Sequence, residues 1–218
     1  MTGKDPRSAH ALERLVFFSD AVFAIAITLL VIELHVPHLP HGSPDGAYWQ
    51  ALAQQMPSLV GYFFSFFVIG AFWAGHHRAF ALAERYNPRI VGWNLGLLLT
   101  MAFMPFATAF LSQNAPARVP TLFYCAVLFC AALLNIKVGR MATAPEMIGD
   151  DVPAETVDYV RKRGLSVALG AATAMAVSLV FPAFGQASLI SIPIWRWLLA
   201  RRPGSGRGAG VIAESPDG

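Results

Sequence analysis

The sequence predicts an all-α membrane protein, and three observations predict it. The chain of 218 residues is 56% hydrophobic and only 13% charged, whereas a water-soluble domain carries about 45–50% apolar and about 25% charged residues. Its mean hydropathy is +0.52. The apolar residues are bunched into runs of about 20, the length a helix needs to cross roughly 30 Å of hydrocarbon. A soluble globular protein is excluded on these grounds.

The elements follow in order. Residues 1–11 are polar and include Asp5 and Pro6, so they are expected to form a cytoplasmic N-terminus. No small-residue cleavage site follows the first apolar run, which is therefore expected to remain in the mature protein. Breaks at Pro, Gly and charge place six transmembrane helices at residues 12–35, 56–80, 88–111, 120–140, 164–181 and 186–199, within one membrane domain over 12–200. The last two are short, and Phe181-Pro182-Ala183-Phe184-Gly185 between them reads as a tight turn or as a kink in one long helix. Residues 201–218 begin Arg-Arg-Pro-Gly-Ser-Gly and are expected to be a disordered cytoplasmic tail.

Charge supports the six-span count. Lys and Arg accumulate on the cytoplasmic side of membrane proteins, and with a cytoplasmic N-terminus every one of the 16 basic residues except Arg118 falls on that side. Both termini are then cytoplasmic, in a multi-pass protein of the cell's inner (plasma) membrane. The net charge of +3 reports topology rather than a nucleic-acid partner, because the basic residues sit at helix ends and form no single patch.

Other features read plainly. Cys125 and Cys130 lie in one apolar run, have no metal-ligand neighbours and read as small buried hydrophobes. His35, His38 and His41 lie among Pro37, Pro40 and Pro44; a metal or pH site is conceivable there, and an extended extracytoplasmic turn is preferred. The acidic stretch 141–158 reads as a solvated connector with a short helix from Pro153. Phosphate-binding loops, nucleophile elbows and HExxH are missing, so no enzyme, cofactor, resident metal or small-molecule substrate is expected. The Thr-Val-Gly-Tyr-Gly potassium filter and an Arg-repeating voltage sensor are missing too.

The first helix is the informative one. Asp20 within a span is costly in hydrocarbon and needs protein or water around it. At about 100° per residue Asp20 lies about 140° from Ile25, while Leu29 and Ile32 lie within about 40° of Ile25 and Thr28 flanks them at about 60°. One side is thus an apolar stripe, which commonly packs on lipid or another helix, and the other presents Asp20. Trp73, His76 and His77 near the cytoplasmic end of the second helix, and Asn94 near the start of the third, are at a similar depth. A buried network fixing helix packing is the preferred reading of this set; a proton relay is the alternative.

Arg14-x-x-x-Phe18-Ser19-Asp20, followed by an Ala/Ile/Thr/Leu-rich span, resembles the RxxxFSD signature of the transmembrane protein 175 family, the endolysosomal potassium channels and their bacterial relatives. The Trp73 to His77 pattern, Asn94 and the six-span layout are also similar to that family, over roughly residues 10–200. The resemblance implies a potassium-selective, leak-type cation channel that, with one repeat per chain, assembles as a homotetramer in the lipid bilayer, with potassium as the permeant ion. It implies that the first helix lines a central pore whose apolar constriction falls on Ile25, with Leu29 and Ile32 on the next turns outward and Thr28 in a ring near the pore. It also implies that Arg14, Phe18, Ser19, Asp20, Trp73, His77 and Asn94 form the signature network. Arg14 projects only about 20° from the Ile25 bearing and is an alternative occupant of the pore mouth. Glu33 reads equally as a cation-concentrating group at the outer entrance and as an interfacial carboxylate. The competing function is a proton-coupled secondary transporter using Asp20 and His76/His77.

Overall fold

The computed structural model describes residues 6–114, 117–185 and 187–201. The expected tail, apart from Arg201, lies outside the described residues. Seven α-helices are present among those residues: α1 (Pro6–Leu29), α2 (Asp45–Gln54), α3 (Met56–Phe80), α4 (Arg89–Gln113), α5 (Arg118–Ala142), α6 (Ala154–Val180) and α7 (Ser191–Ala200). No strand occurs among them, and a single backbone bridge joins Ala83 to Ile148.

Five helices, α1 and α3 to α6, are long and apolar enough to cross a membrane. The sixth expected span differs. A 3₁₀ turn at Pro182–Phe184 separates it from α6, and it runs through a further 3₁₀ turn at Ala187–Ile190 into α7. The stretch Ala187–Ala200 spans about 21–23 Å, short of the roughly 30 Å hydrocarbon core. It nevertheless runs back along α6: a Cβ on Gly170 would strike Ile192, and Trp195 Nε1 donates to Thr173 Oγ1 at 3.1 Å. The 181–185 segment is therefore a turn between two helices and not a kink, because Pro182 supplies no amide to continue the α6 ladder.

Helix ends differ elsewhere from the sequence expectation. α1 starts at Pro6, six residues early, since proline is tolerated in a first turn whose N–H groups lack helical partners. At its far end it tightens into a 3₁₀ turn, Leu30–Glu33, and stops before Pro37. The proline-rich loop makes a turn at Pro40–Ser43, where Ser43 N–H donates to Pro40 O at 3.2 Å and Gly42 takes φ 82°, the left-handed value that position three of a type II turn requires. It then forms α2, which the sequence reading left as loop. The short helix expected from Pro153 is the first part of α6, so the fifth span starts nearly three turns before Gly164.

α4 is the central helix. Its Leu97, Met101, Met104 and Ala107 are fully buried, and α1, α3 and α5 pack around it, with α6 on α5 and α7 outermost. Cys125 is buried as expected. Cys130 is exposed on α5, a correction to the buried reading: five residues on, it is turned about 140° from Cys125 around the helix.

One end of the bundle is tied by its loops. Met147 O accepts from the amides of Glu84 and Arg85, Arg85 Nη2 pairs with Asp150 Oδ1 at 2.9 Å, and Tyr86 N–H donates to Ser8 Oγ. The start of α1, the α3–α4 loop and the α5–α6 loop therefore share this end.

Candidate ion pathway and its polar support

The placement of α1 follows from its spacing. Leu12, Leu15, Ser19, Phe23, Ala26 and Leu30 recur every three or four residues and are all buried, making one continuous face against α3 and α4. Another side of the helix, the stripe of Ile25, Leu29 and Ile32, is uncovered in the single chain. Ile25 is 56% exposed, Leu29 39% and Ile32 71%. The 3₁₀ winding after Leu29 turns each residue by about 120°, so Ile32 comes to nearly the same bearing as Leu29 and the stripe stays straight. Thr28 is exposed beside it and donates its hydroxyl to Ile25 O at 2.9 Å. Ala21 and Ala24 are exposed on this surface as well.

The polar residues divide into two arms. In the buried arm, Ser19 Oγ donates to Leu15 O at 2.8 Å, which leaves that oxygen to accept from Asn94 Nδ2 at 2.8 Å. The amide orientation is thereby set, and Asn94 Oδ1 faces His76 Nε2 at 2.9 Å. A carboxamide oxygen only accepts, so His76 donates through Nε2 and its Nδ1 is a bare acceptor with no hydrogen-bond partner. The imidazole stacks on Phe80 at 4.4 Å and tilts against Phe23 at 5.5 Å. This arm joins α1, α4 and α3.

In the outer arm, Trp73 Nε1 donates to Asp20 Oδ1 at 2.9 Å, and the indole stacks on His77 with ring centres 5.6 Å apart. Asp20 is half-buried, while Trp73 and His77 are exposed. His77 thus supports Trp73, and it is His76 that occupies the interior. A sequence signal separates them: Ser65, Ile69, Phe72, His76 and Phe80 recur at helical spacing and are buried together, whereas His77 follows Trp73 by four residues on the neighbouring surface. Arg14 and Phe18 are exposed on α1 and stand outside both arms. Glu33 is half-buried in the 3₁₀ turn; His35, His38 and His41 are exposed and do not gather into a metal-ligand group among the described residues.

A third polar cluster escaped the sequence reading. Ser65 Oγ lies 3.1 Å from Tyr124 OH and 2.7 Å from Thr108 Oγ1, joining α3, α5 and α4 in the interior. Three hydroxyls on three helices carry no short-range motif, so only their meeting marks them.

Comparison with known proteins gives the family of the chain. Residues 14–105 match the family described as the endosomal/lysosomal potassium channel TMEM175. A potassium channel of Chamaesiphon minutus is 34% identical over 154 residues, 69% of this chain and 75% of the relative. A human protein named endosomal/lysosomal proton channel TMEM175 is 30% identical over 142 residues, 60% of this chain and 28% of its own length. The match spans 59% of the length of two further bacterial potassium channels. In structure, the chain is similar to the crystal structure of a lysosomal potassium-selective channel TMEM175 homolog from Chamaesiphon minutus, with a TM-score of 0.72 and 28% identity over 88% of this chain and 100% of that one. The chain is a multi-pass, all-helical membrane protein, and it belongs to the TMEM175 family of ion channels.

Proposed function

We propose that this chain forms a potassium-conducting cation channel, a homotetramer in the cell's inner membrane, in which α1 of each copy lines the pore. The observation that carries the reading is the two-sidedness of α1. One face is locked to α3 and α4 through Ser19, Asn94 and His76, while the Ile25, Leu29 and Ile32 stripe is left uncovered. Exposed Ala24 and Thr28, four residues apart, let neighbouring backbones approach closely, the condition under which helices associate in lipid.

Four copies of Ile25 around an axis form a throat that opposes a hydrated cation and gates by dewetting. Because the Thr28 proton is donated to Ile25 O, the lone pairs of its oxygen remain for the cation. Potassium is the permeant species in this reading, with no cofactor and no chemical substrate. The shared end formed by the start of α1, the α3–α4 loop and the α5–α6 loop supports a cytoplasmic N-terminus, and the return of α7 along α6 supports a cytoplasmic C-terminus and six spans. The names of the relatives favour a channel and give the proton-coupled transporter no support.

The test is the reversal potential of purified protein in a planar bilayer under opposed potassium and sodium gradients at fixed pH, with Ile25→Asn alongside. A reversal near the potassium equilibrium potential that moves toward zero in the variant, with larger current, is expected. A reversal that follows a pH gradient instead would assign protons as the permeant ion, and unchanged currents in Ile25→Asn would remove that residue from the throat.

A further inference from the structure

A cavity of about 670 Å³ lies between α3, α5, α6 and α7, away from the α1 stripe. Its size is that of pockets which enclose whole small ligands. The wall is of two kinds. Phe64, Val68, Phe72, Leu128, Val167 and Leu189 make an apolar interior, whereas Arg78, Arg140, Arg161, Arg163 and Arg196 gather at the end nearest the α3–α4 and α5–α6 loops. Exposed Ala71, Ile190 and Pro193 form part of the wall, so the cavity opens on the outer surface of the bundle, where acyl chains lie. From Phe64 to Arg78 the cavity follows α3 for about 21 Å, more than the roughly 15 Å depth of one leaflet's hydrocarbon.

Among the described residues the arginines meet no anion. No ion pair there joins any of the five to a carboxylate. Arg161 is turned to Thr143, donating to its hydroxyl and carbonyl at 3.0 and 2.8 Å, and Arg163 donates to Tyr159 OH at 2.8 Å; these partners are neutral. Arg78 and Arg163 lie close enough to repel one another, and Arg78, Arg163 and Arg196 all act on the Tyr159 hydroxyl. A cluster of guanidiniums over an apolar cleft at one membrane surface is complementary to a phosphate joined to an acyl chain.

We propose that this cavity binds one anionic phospholipid from the surrounding leaflet, its phosphate held by the arginine cluster and an acyl chain in the apolar interior. Glycines on three helices, Gly75, Gly139 and Gly164, keep the neck open. Gly139 lines the cavity and a Cβ there would meet nothing within 4 Å, so the position has room for an added side chain.

The experiment is native mass spectrometry of the delipidated full-length protein, titrated with palmitoyl-oleoyl phosphatidylglycerol or with phosphatidylcholine of the same chains. The phosphatidylglycerol should be retained at least tenfold more tightly. Arg78→Gln/Arg196→Gln, which removes two charges that form no hydrogen bond or ion pair among the described residues, should weaken its retention about 30-fold at roughly fivefold per arginine. Gly139→Leu should displace it with every arginine in place, and either folded variant decides the matter. Equal retention of the two lipids by the parent protein, or undiminished phosphatidylglycerol binding by a folded variant, would overturn the proposal. Competition by glycerol 3-phosphate as effective as by the whole lipid would make this a phosphate site without an acyl chain, and would overturn it as well.

Discussion

Replacing Asn94 by alanine tests the polar support of α1 most sharply. Asn94 is fully buried and carries two interhelical hydrogen bonds, one to Ser19 on α1 and one from His76 on α3. Each such bond is worth about 0.6 kcal/mol inside a membrane protein. Their loss is unequal in its consequences. Ser19 keeps its proton on Leu15 O and strands nothing, but His76, 1% exposed, is left with an unpaired Nε2–H beside an already unpartnered Nδ1. A stranded buried donor costs about 1–3 kcal/mol. The expected destabilisation is about 2–3 kcal/mol, a 30- to 150-fold shift in the unfolding equilibrium. Reversible unfolding in mixed detergent micelles, followed by helical circular dichroism, reads this directly. The double variant Asn94→Ala/His76→Phe should be more stable than Asn94→Ala alone, because a phenyl ring at position 76 keeps the stacking on Phe80 and Phe23 and has no proton to strand. An Asn94→Ala protein within about 0.5 kcal/mol of its parent, or a double variant less stable than the single one, would refute the proton assignment along Ser19, Asn94 and His76.

The outer arm should behave differently. Asp20→Ala removes one half-exposed bond from Trp73, so the subunit should lose less than about 1 kcal/mol, while the yield of assembled channel on size-exclusion chromatography falls more than the single-channel conductance changes; normal assembly with altered selectivity would place Asp20 in the pore instead. Gly170→Ala drives a methyl into Ile192 and should loosen α7 from α6 by about 1–3 kcal/mol, seen as a lower Tm and faster proteolysis after residue 190, since the atom struck is held close to the α7 backbone and has little room to swing away. An unchanged Tm would show that α7 shifts bodily at no cost.

The fold class and the five long helices were legible because their signals are local. Twenty apolar residues suffice to imply a span, and Met56–Phe80 has the bounds that its flanking charges and proline suggest. The last helix was less legible, since the 14 residues that follow the Pro182–Gly185 turn do not reach across the membrane on hydropathy alone, and only contact with α6 shows that the chain returns. Helix α2 stayed hidden because a ten-residue helix in a polar loop with no buried residue has weak periodicity.

The candidate site divides along the same line. The sequence alone determined that α1 has an apolar stripe on Ile25, Leu29 and Ile32 and a carboxylate on another side, because both follow from spacing on one helix, and it supplied the residue types able to satisfy that carboxylate. Which donor meets which acceptor was decided by tertiary structure. Trp73 reaches Asp20, Asn94 reaches Ser19, and the interior imidazole is His76 while His77 lies outside against Trp73. Two adjacent histidines are alike in composition and differ by about 100° around α3, a rotation whose meaning depends on where α1 and α4 stand. The Ser65, Thr108 and Tyr124 hydroxyl cluster and the arginine-rimmed cavity arise the same way, from residues on three or four helices that share no local pattern and meet only when the helices pack.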